Sequence, residues 1–168
     1  INGAALATPV FLYLYAENDL RLDKYFAETD EKGFRKNKKA GSNNYLCTFR
    51  VGEIYLTAAE AAARLGELSQ ARTRLLELMR KRYAPEAYEA KSVVVNAMDK
   101  EALVQEILDE RARELAFEGH RWFDLRRSTR PRLEKVLDGT RYVLEENDAR
   151  YTLAIPKEAI EANPGLLN

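Results

Sequence analysis

Between Glu53 and Met79 the apolar positions recur every three or four residues, the period of a helix with one buried face. Tyr55, Ala58, Ala59 and Ala62 fall on one face. Gly66 follows as a helix stop, and Ser69 is placed to cap a second helix. That second helix carries the stripe Ala71, Leu75, Leu78 and Met79. Arg80, Lys81 and Arg82 stand at its C-terminal, negative end, and Pro85 lies just beyond. The pattern predicts an αα-hairpin. Asp99 then reads as the N-cap of a further helix, with Glu101 in its first turn. This helix buries Val104, Ile107, Leu108, Ala112 and Leu115, runs to Phe117 or Glu118, and stops at Gly119. Trp122-Phe123-Asp124-Leu125 reads as a short helix before Pro131. Val93-Val94-Val95 fits a short strand or the edge of a helix.

Near the end the period changes to two. Tyr142 and Leu144 alternate with polar residues, as do Tyr151, Leu153 and Ile155. A β-hairpin turning at Asn147-Asp148 and ended by Pro156 is predicted, then a short helix from Lys157 to Glu161. Residues 1–27 mix small and aromatic side chains. Leu12 to Tyr25 reads as a helix or as two pieces separated by a turn at Asn18-Asp19. Residues 28–45, with Gly33, Gly41 and Ser42-Asn43-Asn44, read as an exposed loop or irregular hairpin. The predicted class is mainly α: a helical hairpin plus further helices, irregular loops and a small C-terminal β-hairpin. Its segments are 1–49 loop-rich, 50–130 helical, and 140–168 hairpin and tail.

A chain of 168 residues can bury a core without disulfides. The 27 basic residues are balanced by 27 acidic ones, which argues against a dedicated nucleic-acid binder, whose affinity rests on neutralising phosphates. Cys47 is the only cysteine, so there is no disulfide framework and no cysteine-rich metal site. His120 is the only histidine, which disfavours hydrolase or metalloenzyme chemistry. The sequence shows no membrane-spanning run and no signal peptide, and it begins at Ile1 without methionine, so it is read as a fragment.

Glu110, Glu114 and Glu118 repeat every four residues. A bundle-type metal site needs histidine three residues after a glutamate, whereas His120 comes two after Glu118. The favoured reading is structural pairing with Arg111, Arg121 and Arg50. No serine or cysteine signature accompanies His120 to make it a base. Arg121, Arg126, Arg127, Arg130 and Arg132 crowd beside Trp122 and Phe123; ion pairs and solvent account for them, with Trp122 in the core. The basic run Lys32, Arg35, Lys36, Lys38 and Lys39 reads as solvated surface. Tyr13, Tyr15, Tyr25, Phe26 and Tyr45 offer faces suited to sugar rings, although at such spacing aromatics are more often core. Tyr13, Tyr15 and Tyr45 are the candidate ligand contacts.

The helical hairpin is in tetratricopeptide register. Tyr55 stands at that repeat's first aromatic and Ala59 at its small residue; Gly66 and Leu68 occupy the turn, and Ala71 the close-packing site. Three further segments carry a wider resemblance: Arg50-Val51-Gly52-Glu53-Ile54-Tyr55-Leu56; Glu110 through Gly119-His120-Arg121-Trp122-Phe123-Asp124-Leu125; and Tyr151-Thr152-Leu153-Ala154-Ile155-Pro156 with Asn163-Pro164 behind it. In order and spacing they resemble the C-terminal part of the SusD/RagB family, with Ala154 where a proline is common and Leu167 where glutamine is expected. The resemblance makes Arg50, Glu53, Glu110, Arg111, Glu118, Gly119, Arg121, Trp122 and Asp124 a structural motif. Glu110, Arg111, Glu118 and Arg121 are expected to be buried and mutually paired. It implies a non-catalytic lipoprotein on the outer surface of a Bacteroidetes outer membrane. Such a protein binds a glycan or other nutrient, partners a SusC-like TonB-dependent transporter, and uses no cofactor or metal. It also implies that most of the binding site lies upstream of Ile1. The alternative is an intracellular tetratricopeptide-like adaptor that binds a peptide or protein partner.

Overall fold

A computed structural model describes residues 6–39, 50–137, 139–163 and 165. It divides into two units, one through Arg121 and one from Trp122 onward.

In the first unit a short strand β1 (Leu6–Ala7) leads into α1 (Pro9–Leu12). Thr8 Oγ1 accepts the Phe11 amide, and Pro9 sits where a helix has no use for its missing N–H. Helix α2 (Arg21–Tyr25) follows a turn through Asn18 and Asp19, so the stretch from Leu12 to Tyr25 is two pieces. Strands β2 (Phe26–Thr29) and β3 (Arg35–Asn37) form an irregular hairpin, and β1 pairs on the far side of β3. At its tip Asp30 Oδ1 accepts the amides of Lys32 and Phe34, while Gly33 takes φ +81°. Gly41, Ser42-Asn43-Asn44, Tyr45 and Cys47 lie outside the described residues.

Helices α3 (Val51–Leu65) and α4 (Leu68–Met79) make the predicted αα-hairpin. Gly66 takes φ +87°; its amide donates to Ala63 O and that of Glu67 to Ala62 O, the paired bonds of a Schellman turn. The reversal is so tight that α4 starts at Leu68. Ser69 therefore lies inside the first turn and does not cap it. Leu56, Ala59, Ala62 and Ala63 of α3 pack with Ala71, Leu75, Leu78 and Met79 of α4 in one buried cluster. Ala58, expected on that face, is exposed, and Leu56 takes the core position.

The ambiguous valines lie on α5 (Pro85–Ala97), with Val95 buried and Val93 and Val94 in solvent. Proline starts this helix and the run continues too long for a strand. Asp99 Oδ1 accepts the Ala102 amide and caps α6 (Lys100–Glu114). This helix ends at Glu114, short of the predicted Phe117 or Glu118. Phe117 at φ +63° and Gly119 at φ +83° turn the chain out of the helix. Leu103 and Ile107 join the hairpin's core, and Val104 is only partly covered.

Helix α7 (His120–Arg127) carries the chain into the second unit. There β4 (Leu133–Leu137) pairs antiparallel with β5 (Thr140–Leu144) around a turn holding Gly139 at φ +75°. A C-terminal hairpin exists, but it lies one strand earlier than predicted: Tyr142 and Leu144 belong to its second strand. Asn147 and Asp148 do not turn it. Asp148 Oδ1 accepts the Arg150 amide and caps a 3-10 turn, Ala149–Tyr151, so the alternation beyond it belongs to no strand. Trp122 is half-buried and stacks on buried Tyr151, centroids 5.1 Å apart and planes 12° from parallel, and the Tyr151 hydroxyl donates to Pro131 O. The chain closes with α8 (Lys157–Ala162).

Candidate functional site

The four-residue step from Glu110 to Glu114 places both carboxylates on the inner face of α6, where neither side chain meets solvent. Glu110 Oε1 accepts from Arg21 Nη1 at 2.7 Å, and Oε2 accepts from Arg113 Nε at 2.8 Å and Tyr83 Oη at 3.2 Å. Glu114 Oε1 accepts from Arg50 Nη2 at 2.7 Å and Arg82 Nη2 at 2.8 Å. Its Oε2 accepts from Arg82 Nε at 2.8 Å and Arg21 Nη1 at 3.2 Å. The rest of the Arg21 fork grips Asp19, through Nε at 2.9 Å and Nη2 at 2.8 Å. Arg113 also reaches Glu106 at 2.5 Å. Arg50 extends the network to Glu118 at 3.0 Å, which Lys39 pairs as well. Gly52 makes room: a Cβ there would come within 2.8 Å of Glu114 Oε1.

Burial alone would push both glutamates up. The Arg82 hydrogen bonds and the charges of Arg82, Arg21 and Arg50 instead hold Glu114 down at about 2. The charges of Arg21 and Arg113 likewise hold Glu110 below its ordinary value against complete burial. Burial raises the Tyr83 hydroxyl, and the Glu110 charge adds to that rise. Every oxygen of the two glutamates is taken by a donor. The pair is a fixed charge clamp.

The clamp joins parts of the expected motif by unexpected routes. Arg50, Glu110, Glu114 and Glu118 meet in it. Arg111 is buried but turns to the other side, to Thr57 Oγ1 at 3.1 Å and Glu53 at 3.8 Å. His120 Nδ1 also approaches Glu53, at 3.5 Å. Arg121 is half-exposed and has no ion partner among the described residues, so mutual pairing of Glu110, Arg111, Glu118 and Arg121 does not hold. Helix α6 stops before Glu118, and the turn at Phe117 and Gly119 leads Arg121 into a new helix. Asp124 is buried and pairs with Arg127 at 2.7 Å. Sequence reasoning missed Asp19, Arg21, Lys39, Arg82, Tyr83 and Arg113. Arg113, three residues after Glu110, had a helical-spacing signal; Arg21 had none, because its glutamate partners are 89 and 93 positions away, and Asp19 joins only through Arg21.

The model of the SusD family matches residues 7–168, from β1 through the hairpin and the clamp to the C-terminal tail. The chain belongs to the SusD family. A solved SusD-like carbohydrate binding protein from Bacteroides vulgatus superposes with a TM-score of 0.63 at 19% identity, over 94% of this chain and 40% of its own. At that identity the likeness is one of fold, and this chain spans well under half of the solved protein's length. No curated protein matches.

Of the aromatics offered as ligand contacts, this SusD-family chain exposes Tyr13, at 85%. Tyr15 is instead 6% exposed, packs edge-on against Phe11 and Phe26, and donates its hydroxyl to Arg113 O at 2.7 Å, so its ring is core. Tyr45 lies outside the described residues. Phe26 is fully buried, and Tyr25 lies under the Lys39 ammonium, 4.4 Å from its ring centroid. The basic run is therefore not all solvated: Lys39 is tied to the clamp, and Arg35 pairs with Asp23 at 2.8 Å. Of the later arginine cluster, Arg132 pairs with Glu134 and Glu145 and Arg127 with Asp124.

Proposed function

We propose that this chain serves a nutrient-binding protein that captures a glycan without altering it and hands it to a SusC-type TonB-dependent transporter. The proposed setting is the outer face of a bacterial outer membrane, with attachment through a lipid. Family membership over residues 7–168 is the observation that carries this reading. The SusD-like carbohydrate binding protein of the same fold adds the ligand class. The clamp supports it physically: its glutamates are locked by arginines and hold helices together, which suits a rigid scaffold for recognition by shape and stacking.

In this reading the chain is the C-terminal part of the binding protein, and Tyr13 is its exposed aromatic contact. Two experiments test the finer parts. Affinity capture from native outer membranes should recover a TonB-dependent transporter with the protein, and protease treatment of intact cells should degrade it. Retention in the cytoplasmic fraction, with no transporter recovered, would overturn both the location and the partner.

A further inference from the structure

The link between α4 and α5 is pinned to the turn ahead of α2. Leu20 N donates to Arg82 O at 2.9 Å, and Ala84 N donates to Asn18 O at 3.1 Å. Pro85 then starts α5 at once. This rigid corner leaves a cleft of about 430 Å³ lined by Arg80, Tyr83, Pro85, Tyr88 and Glu89. Buried Tyr83 forms its floor, fixed by its bond to Glu110. Tyr88 is half-buried, held on one side by the hairpin core.

In a chain where most arginines are engaged, this cleft stands apart. Among the described residues neither the Arg80 guanidinium, the Glu89 carboxylate nor the Tyr88 hydroxyl has a hydrogen-bond or ion partner. Two other clefts among the described residues lack this combination. The one at Arg64, Lys100, Glu101 and Val104 has no aromatic wall, and its Arg64 is paired with Glu60. The one at Gly66–Gln70 has neither an aromatic nor an arginine.

We infer that the Arg80–Tyr88–Glu89 cleft is a carbohydrate contact of this chain, taking one sugar ring of a neutral oligosaccharide. The inference rests on the glycan-capture reading above and places a contact within it. A tyrosine ring offers a flat apolar face to a pyranose. Guanidinium and carboxylate can each bond neighbouring hydroxyls in pairs, one as donor and the other as acceptor. Within the lining the charges of Arg80 and Glu89 offset each other, with the Lys91 ammonium 5.0 Å from the Tyr83 ring centroid, and donors beside an acceptor suit a polyhydroxylated ring. The volume is within the ordinary range of small-ligand sites, roughly 300–1,000 Å³.

The test is an NMR titration of this chain with maltoheptaose, xylohexaose and laminarihexaose. It follows the Arg80 Nε–H and the Tyr88 amide and ring signals, with the dipeptide Gly-Gly as a zwitterionic probe. At least one sugar should shift these signals saturably. Tyr88→Ala and Glu89→Gln should each weaken that binding by about tenfold or more, the equivalent of one lost contact. Arg80 and Glu89 are exposed, so Arg80→Gln and Glu89→Gln decide the matter if Tyr88→Ala fails to fold. Silence of these signals with every sugar, or shifts unchanged in the variants, overturns the inference. So does Gly-Gly shifting them where sugars do not. Tight glycan binding by the whole protein with this cleft silent would remove the contact and leave the capture reading standing. Absence of glycan binding by the whole protein would remove both.

Discussion

Arg21 and Glu110 are 89 positions apart in sequence and meet at 2.7 Å with both side chains out of solvent. Their contact ties the segment ahead of the β2–β3 hairpin to the last turns of α6. The same guanidinium reaches Asp19 and Glu114. Each charge in this centre is answered by another, which is the condition under which buried ions are tolerated.

Removing Arg21 leaves Asp19 and Glu110 short of a cation in a dry site. Arg21→Met is expected to cost about 3–5 kcal/mol of stability, read from urea denaturation. Adding Glu110→Gln should recover part of the loss, because a neutral amide no longer needs the cation. Equal stability of Arg21→Met and wild type would mean the clamp is not what holds these segments.

Two glycines act for different reasons. At Gly52 an added Cβ would press within 2.8 Å of Glu114 Oε1 and 3.1 Å of its Cγ, and Glu114 cannot yield because Arg21, Arg50 and Arg82 hold it. Gly52→Ala should therefore cost about 1–3 kcal/mol through overpacking. This loss should appear even though alanine favours a helix by roughly 1 kcal/mol over glycine. At Gly66 nothing lies within 4 Å, and only φ +87° resists a side chain. Thermal melts of the two alanine variants should separate them: Gly66→Ala responds to backbone strain alone, without disturbing Glu114.

Glu114 titrates at about 2 in the folded protein against an ordinary 4.5. A carboxyl lowered by folding contributes its full stabilisation above the unfolded value and loses it as pH falls through the folded one. Stability should therefore decline from about pH 4.5 toward about pH 2. Glu114→Gln should be less stable at neutral pH and show a flatter acid limb. The same acid slope in both proteins would assign the loss to other carboxyls.

Local rules made much of the fold legible. The αα-hairpin follows from period and a glycine stop, and α6 from Asp99 and its apolar stripe. The C-terminal hairpin was misplaced because Tyr151 and Leu153 alternate as strand residues do. Asp148 spends its carboxylate capping a 3-10 turn, and Tyr151 goes under Trp122 instead. The clamp was half legible. Glu110 and Glu114 stand out by spacing, but a long-range partner such as Arg21 leaves no mark near either glutamate. Tyr15, offered as a candidate contact with core as the commoner fate of such aromatics, packs in the core, because an aromatic near a polar stretch looks alike in sequence whether it packs or binds.

The most direct test of the central claim is calorimetric titration with a glycan panel, with product analysis of the same samples. It compares the intact protein with these 168 residues alone. Saturable binding of a specific oligosaccharide by the intact protein is predicted, with the glycan recovered unchanged. If, as proposed, the other walls of the pocket lie outside these residues, the chain alone should bind at least about tenfold more weakly for want of the preorganisation they supply. Cleavage of the glycan that co-purifies with the protein, or no binding to any glycan by the intact protein, would contradict the account.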